Sequence, residues 1–82
     1  MNQLLSQLKQ EYSNAQVADR AAMQRHIELV DRFYEDRDPG VSQADLEKAA
    51  QFAEFTYNER TAAYWRLDAC KVKILAEMEP TP

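Results

Sequence analysis

Near its middle the chain reads Asp36-Arg37-Asp38-Pro39-Gly40-Val41-Ser42-Gln43-Ala44-Asp45-Leu46, and this stretch divides it into two halves. Pro-Gly is a turn signal, and a proline disfavours helix at the residue before it. Ser42 and Asp45 have the spacing of a capping box, with Asp in the place of the usual Glu, and Val41 and Leu46 flank them as a hydrophobic staple. One helix therefore ends just before this turn, and a second begins just after it.

Good helix formers such as Ala, Leu, Gln, Glu, Arg and Lys dominate both halves of the chain. The sequence predicts a single all-α domain over 1–82, with a helix over about 2–36, a turn over 37–42, a helix over about 43–79 and a short tail at 80–82. Because the turn is short, we expect the helices to form an antiparallel, coiled-coil-like helical hairpin.

Residues spaced alternately by three and four predict the seam between the two helices. On the first helix they are Leu5, Leu8, Tyr12, Ala15, Asp19, Ala22, His26, Leu29 and Phe33. On the second helix they are Leu46, Ala50, Ala53, Tyr57, Arg60, Tyr64, Leu67, Lys71 and Ile74. A turn at 39–40 places residues at the same height when their numbers add up to about 79, so large residues face small ones.

Asp19 and Arg60 are the polar pair that this register brings to one height in the otherwise apolar seam. A polar pair in a seam costs stability but can fix the register of the helices. A half-exposed ion pair of little energetic weight is the alternative.

The chain carries more apolar residues than one seam can bury. Two stripes predict a partner interface, one near the turn and one near the open end: Met23, Ile27, Val30 and Tyr34, and then Trp65, Val72 and Leu75. A further flank of the second helix consists of Ala49, Phe52, Phe55, Ala62, Ala63, Ala69 and Cys70. Monomers rarely expose patches of this size.

Three arrangements would cover this apolar surface. One is an isologous homodimer of head-to-tail hairpins, a four-helix bundle in which the two stripes meet and Trp65 is the anchor. Another is docking of a different protein. In the third, the flank packs back on the hairpin itself.

Enzyme chemistry is not indicated by the sequence. His26 and Cys70 are the only histidine and cysteine, and in the hairpin they lie roughly 25 Å apart, too far for a catalytic dyad. The single glycine excludes a glycine-rich phosphate loop, and Met23 stands where a Glu-x-x-His metal motif needs a glutamate. We therefore expect no enzyme activity, cofactor, metal site or small-molecule substrate.

The roles of His26 and Cys70 have two interpretations each. His26 is either a residue of the seam or a pH sensor. Cys70 is either a small buried residue or a site of redox chemistry or of an intermolecular disulfide.

The charge is acidic and unevenly distributed. A net charge of −4 and a pI of about 4.9 argue against direct binding of nucleic acid or of anionic membranes. Seven acidic and two basic residues between positions 28 and 47 give a charge of −5, so the whole excess of negative charge lies around the turn. We call these seven acids the acidic tip: Glu28, Asp31, Glu35, Asp36, Asp38, Asp45 and Glu47. This tip is either a solvated loop end or a surface that binds a basic partner, for example by occupying the partner's site for nucleic-acid phosphate.

The location is predicted from what the chain lacks. No run of about eighteen apolar residues could span a membrane, and the N-terminus lacks the basic and apolar regions of a signal peptide. A single cysteine fits a reducing compartment. We expect a cytoplasmic protein.

Two functions remain open. The first is a small acidic, non-catalytic interaction or regulatory protein, for example a phage- or bacteria-encoded inhibitor of a host protein that acts through a helical face and the acidic tip. The second is a secretion-type chaperone that sheathes a helix of its client with the Met23–Tyr34 stripe.

Overall fold

Two long helices make up the part of the chain that the computed structural model describes, residues 2–78. Helix α1 spans Asn2–Tyr34 and helix α2 spans Gln43–Met78. They pack against each other in antiparallel orientation and give a rod of 67 × 20 × 16 Å. No strand occurs within residues 2–78. The predicted all-α hairpin is thus confirmed, while the predicted tail at 80–82 lies outside the described residues.

Helix α1 ends at Tyr34, two residues before the expected boundary. The amides of Glu35 and Asp36 still donate to the carbonyl of Asp31, at 2.8 and 3.2 Å. The chain then turns out of the helix because Arg37 adopts a left-handed conformation with φ of 49°. For a residue other than glycine this conformation costs about 1–2 kcal/mol.

Helix α2 begins with the expected capping box. The Ser42 hydroxyl accepts a hydrogen bond from the Asp45 amide at 3.2 Å, and the Asp45 carboxylate accepts one from the Ser42 amide at 2.9 Å. Two amides that have no partner within the helix are thereby satisfied. This reciprocal pair fixes the start of α2 at the end of the turn.

The apolar core is best developed beside the turn. Leu29, Val41 and Leu46 form its buried cluster, against which Val30, Phe33 and Ala49 pack. Farther along the hairpin, burial is confined to isolated positions of the seam: Asp19, Ala22, Thr56, Ala63 and Leu67. The turn half therefore holds most of the packing that stabilises the hairpin.

The seam of α1 lies where the three-four spacing predicts it. All nine predicted positions, from Leu5 to Phe33, are buried or half-buried. Val30, at the edge of the seam beside the turn, is the one other described position of α1 that is not exposed. The amphipathic pattern of α1 was therefore sufficient to identify its packed face.

The seam of α2 differs from the prediction at alternate positions. Tyr57, Tyr64 and Lys71 are exposed, whereas the residues directly before them are buried or half-buried: Thr56, Ala63 and Cys70. Ala49 is likewise half-buried and packs against the core cluster. The smaller side chains occupy the seam because two closely packed helices leave little room between their backbones, and the tyrosine rings are displaced to one side.

Candidate interaction surfaces

The structure brings Asp19 of α1 and Arg60 of α2 together across the seam. The Nε atom of Arg60 lies 3.4 Å from Oδ2 of Asp19. Asp19 is only 5% exposed, and its Oδ1 atom has no hydrogen-bond partner among the described residues. The Arg60 guanidinium also lies 5.1 Å from the centre of the Tyr57 ring, within the range of a cation–π interaction.

Four predicted interface residues form a stripe along α1 near the turn. Met23, Ile27 and Tyr34 are 48%, 54% and 67% exposed, and Val30 is half-buried. Their spacing of three and four places them on one side of α1. They leave a continuous apolar strip about 16 Å long at 1.5 Å per residue.

Helix α2 extends this strip into a broader surface. Met23 and Tyr57 line one shallow groove between the helices, and Val30, Tyr34 and Ala50 line another. We call the six residues that share this side the turn-half face: Met23, Ile27, Val30, Tyr34, Ala50 and Tyr57. The sequence placed Ala50 and Tyr57 in the seam, so their part in this face was missed; their seven-residue spacing was the available signal.

The second predicted stripe lies near the open end and is also exposed. Trp65, Val72 and Leu75 are 62%, 58% and 59% exposed. The indole of Trp65 packs edge-on against the ring of Tyr64, with 5.5 Å between the ring centres. Viewed along the axis of α2, Leu75 falls on the same side as Tyr57. Trp65 and Val72 are rotated about 60–80° from Tyr57 around this axis, away from the seam.

The flank predicted along α2 is divided by the structure. Ala63 is buried, and Ala49 and Cys70 are half-buried, so these three belong to the seam and not to an exposed flank. Phe52 and Phe55 remain exposed and stack on each other, with 6.4 Å between ring centres and 22° between ring planes. On α2 they lie about 140–160° from Tyr57, on the other side of the hairpin.

Two of the seven acids in the acidic tip have structural partners there. Asp38 accepts hydrogen bonds from the Gly40 amide at 2.8 Å and from the Arg32 guanidinium at 2.8 and 3.1 Å. The Gly40 amide, followed by the Arg32 side chain, lowers the pKa of Asp38. The amide and then the hydroxyl of Ser42 lower the pKa of Asp45.

The other five acids of the tip form the outward-facing part of the cluster. Each of them is exposed: Glu28, Asp31, Glu35, Asp36 and Glu47. An exposed acidic cluster can attract a basic partner over about one Debye length. Asp38 and Asp45 are therefore better regarded as residues of the turn than as contact residues.

His26 and Cys70 are both half-buried and lie in different parts of the hairpin. His26 lines the groove of Val30 and Tyr34, beside the turn-half face. Within residues 2–78, no three His, Cys, Asp or Glu side chains lie together as a metal site would require. Neither described helix has a segment long and apolar enough to cross a bilayer.

Comparison of the chain with protein-family models, with curated proteins and with solved structures gives no match.

Proposed function

We propose that this protein is a small, non-catalytic interaction or regulatory protein that binds another protein chain through its turn-half face. The single observation that supports this function is the exposure of a continuous apolar strip on the two-helix hairpin. Met23, Ile27 and Tyr34 expose about half or more of their surface, although burial of each would contribute about 1.5–3 kcal/mol. Such a surface is typical of a site that a partner covers.

The turn-half face suits a helical partner segment. An amphipathic helix can lay its apolar side into a hydrophobic groove and contact it at positions i, i+3, i+4 and i+7. The strip has the same periodicity, from Met23 to Tyr34. The acidic tip lies next to it, so a partner segment with basic residues beyond its apolar side is favoured.

An inhibitor of a host protein, encoded by a phage or a bacterium, is the specific form of this function that uses both surfaces. The apolar strip supplies affinity, and the five outward-facing acids accelerate the encounter with a basic site. A secretion-type chaperone that sheathes a client helix is the alternative. It uses the strip in the same way but does not need the acidic tip.

Capture of partners with single-residue variants tests this function. Ile27→Glu places a charge in the middle of the strip and is expected to abolish capture of the partner. Val17→Glu is the matched control, because Val17 lies on α1 away from the seam and is 66% exposed. Equal capture by both variants would show that the turn-half face is not the binding site.

The acidic tip is tested by the rate of association with the captured partner. Asp31→Lys together with Asp36→Lys is expected to slow association at least several-fold at low salt, because steering by charge raises association rates steeply. These two residues are chosen in place of Asp38, whose replacement would also disturb the turn. An unchanged rate across salt concentrations would favour the chaperone alternative.

A further inference from the structure

The surface area of the chain is larger than that of a compact monomer of the same mass. A compact monomer of 9.5 kDa exposes about 5,000 Å², whereas this chain exposes 6568 Å². The excess is about 1,500 Å² per chain, within the range of about 1,000–2,500 Å² that each subunit of an obligate dimer buries. The excess surface of this 67 × 20 × 16 Å rod is therefore comparable with the area that one subunit of a stable dimer buries.

The residues of the turn-half face are complementary to each other when one copy is turned end over end. We propose that the occupant of this face is a second copy of the chain, related by a two-fold axis that crosses α1 beside Ile27. On α1, residues whose numbers add up to about 54 then meet. Met23 packs against Val30 of the second copy, and Ile27 packs against its own counterpart.

Helix α2 has a matching complementarity about the same axis. Its residues meet where their numbers add up to about 105, so Tyr57 and Ala50 of the second copy lie within about two residues of the same level. On α2 a large side chain thus lies near a small one, as interdigitated layers require, whereas on α1 apolar side chains of similar size meet. Tyr34 comes to the level of Arg20 of the second copy, so the Arg20 guanidinium can form a cation–π interaction with the Tyr34 ring.

The charge distribution favours this head-to-tail arrangement over one with the tips side by side. The acidic tip carries −5, whereas residues 2–20 and 60–78 contain six basic and four acidic side chains and carry +2. In the head-to-tail dimer the two tips lie on opposite sides of the axis, and each comes to the level of Arg20 and Arg60 of the second copy, where its basic half begins. In the other arrangement two tips of −5 lie at the same end and repel each other.

This axis differs from the pairing of the Met23–Tyr34 stripe with the Trp65 stripe that the sequence suggested. Full overlap of the hairpins would place Val30 at the level of Lys9 and Lys71. These lie on the same side as the turn-half face, because Lys9 is fourteen residues before Met23 and Lys71 is fourteen residues after Tyr57. An axis that lies nearer to the turn, beside Ile27, avoids burial of these ammonium groups. Trp65 then lies at the rim of the interface.

Disulfide trapping tests the proposed axis. Cys70 is the only cysteine, so Cys70→Ala gives a background into which single cysteines can be introduced. Ile27→Cys in this background is expected to form a covalent dimer at least tenfold faster than Val17→Cys, since a residue beside a two-fold axis meets itself. A mixture of Met23→Cys and Val30→Cys chains is expected to form the mixed disulfide preferentially.

Sedimentation of the unaltered protein at tens of micromolar accompanies the trapping. A species near 19 kDa that Ile27→Glu converts to one near 9.5 kDa supports the dimer. A monomeric unaltered protein, or equal trapping of Ile27→Cys and Val17→Cys, overturns it. Preferential pairing of Val30→Cys with Ala50→Cys chains would instead show that the tips lie side by side.

The dimer rests on the proposed use of the turn-half face, but the two can fail separately. A monomer whose capture of another protein is lost in Ile27→Glu overturns the dimer and leaves the proposed function standing. A monomer whose captures are the same in Ile27→Glu and Val17→Glu overturns both.

Discussion

At the scale of single residues, Asp19 is the least satisfied polar group of the seam. The residue is 5% exposed, its Oδ2 atom is 3.4 Å from Nε of Arg60, and its Oδ1 atom has no hydrogen-bond partner among residues 2–78. A buried charge with one long ion pair recovers only part of its desolvation cost. We therefore expect the pair to fix the register of the hairpin more than it stabilises it.

A double-mutant cycle tests the contact between Asp19 and Arg60. Arg60→Ala is expected to lower the free energy of unfolding by about 2 kcal/mol, since it leaves a buried carboxylate without its counter-charge, and Asp19→Ala by about 1 kcal/mol. The double variant should lose about 1 kcal/mol less than the sum of the two. Strict additivity in urea unfolding would show that the two residues do not interact.

Arg37 offers a second test at this scale, because its φ of 49° is unfavourable for any residue with a Cβ atom. Arg37→Gly is expected to raise the free energy of unfolding by about 0.5–1 kcal/mol. Glycine relieves the backbone strain of the folded turn, and this gain is reduced because glycine also makes the unfolded chain more flexible. Arg37→Gln removes the same charge and keeps the strain. An equal gain in both variants would assign the effect to charge.

At the scale of elements, the turn depends on two ionised carboxylates. The pKa values of Asp38 and Asp45 are lowered in the folded protein, so the unfolded chain binds more protons at acidic pH. Their contribution to stability is therefore complete above the ordinary pKa of about 3.9 and is lost as the pH falls through the folded values. Below about pH 4 the turn should weaken progressively.

Replacement of both carboxylates by amides tests this pH dependence. The variant with Asp38→Asn and Asp45→Asn should unfold at a midpoint that changes less between pH 5 and pH 2 than that of the unaltered protein. Glu35→Gln with Asp36→Asn is the control, because it removes the same number of charges from exposed positions. The proposed role of the two aspartates is wrong if both double variants flatten the pH profile equally.

The two helices differ in how much of their packing could be read from the sequence. Helix α1 has one apolar stripe in its seam and polar residues over most of the rest, so its nine seam positions were all identified. Helix α2 carries apolar residues on several sides, so its seam is not marked by a single stripe. Both Tyr57 and the neighbouring Thr56 fit a three-four spacing. Side-chain size, and not hydropathy, decided between them, because only the smaller residue fits between closely packed backbones.

The candidate surfaces were partly accessible from the sequence for similar reasons. The Met23–Tyr34 stripe follows from helical spacing alone, and the structure leaves Met23, Ile27 and Tyr34 exposed. A count of charges cannot reveal that Asp38 and Asp45 bind backbone amides in the turn. The signals that could have separated them from the tip are the Asp-Pro-Gly order for Asp38 and the capping box for Asp45.

At the scale of the whole molecule, the buried cluster of Leu29, Val41 and Leu46 gives the hairpin a direction in which it assembles. Contacts in this cluster close loops of about 5–17 residues, whereas the contact of Leu5 with the region of Ile74 closes one of about 70, at a higher entropic cost. Folding should therefore start at the turn and proceed toward the open end, as a zipper closes.

Two measurements report on this order of assembly. Native-state hydrogen exchange should show amide protection that falls steadily from Leu29 and Leu46 toward Leu5 and Ile74, because the open ends separate without unfolding the rest. Leu46→Ala should mainly slow folding, whereas Leu67→Ala should mainly accelerate unfolding. Uniform protection along both helices would instead show that the chain opens all at once, and in that case the open end would be as persistent as the turn.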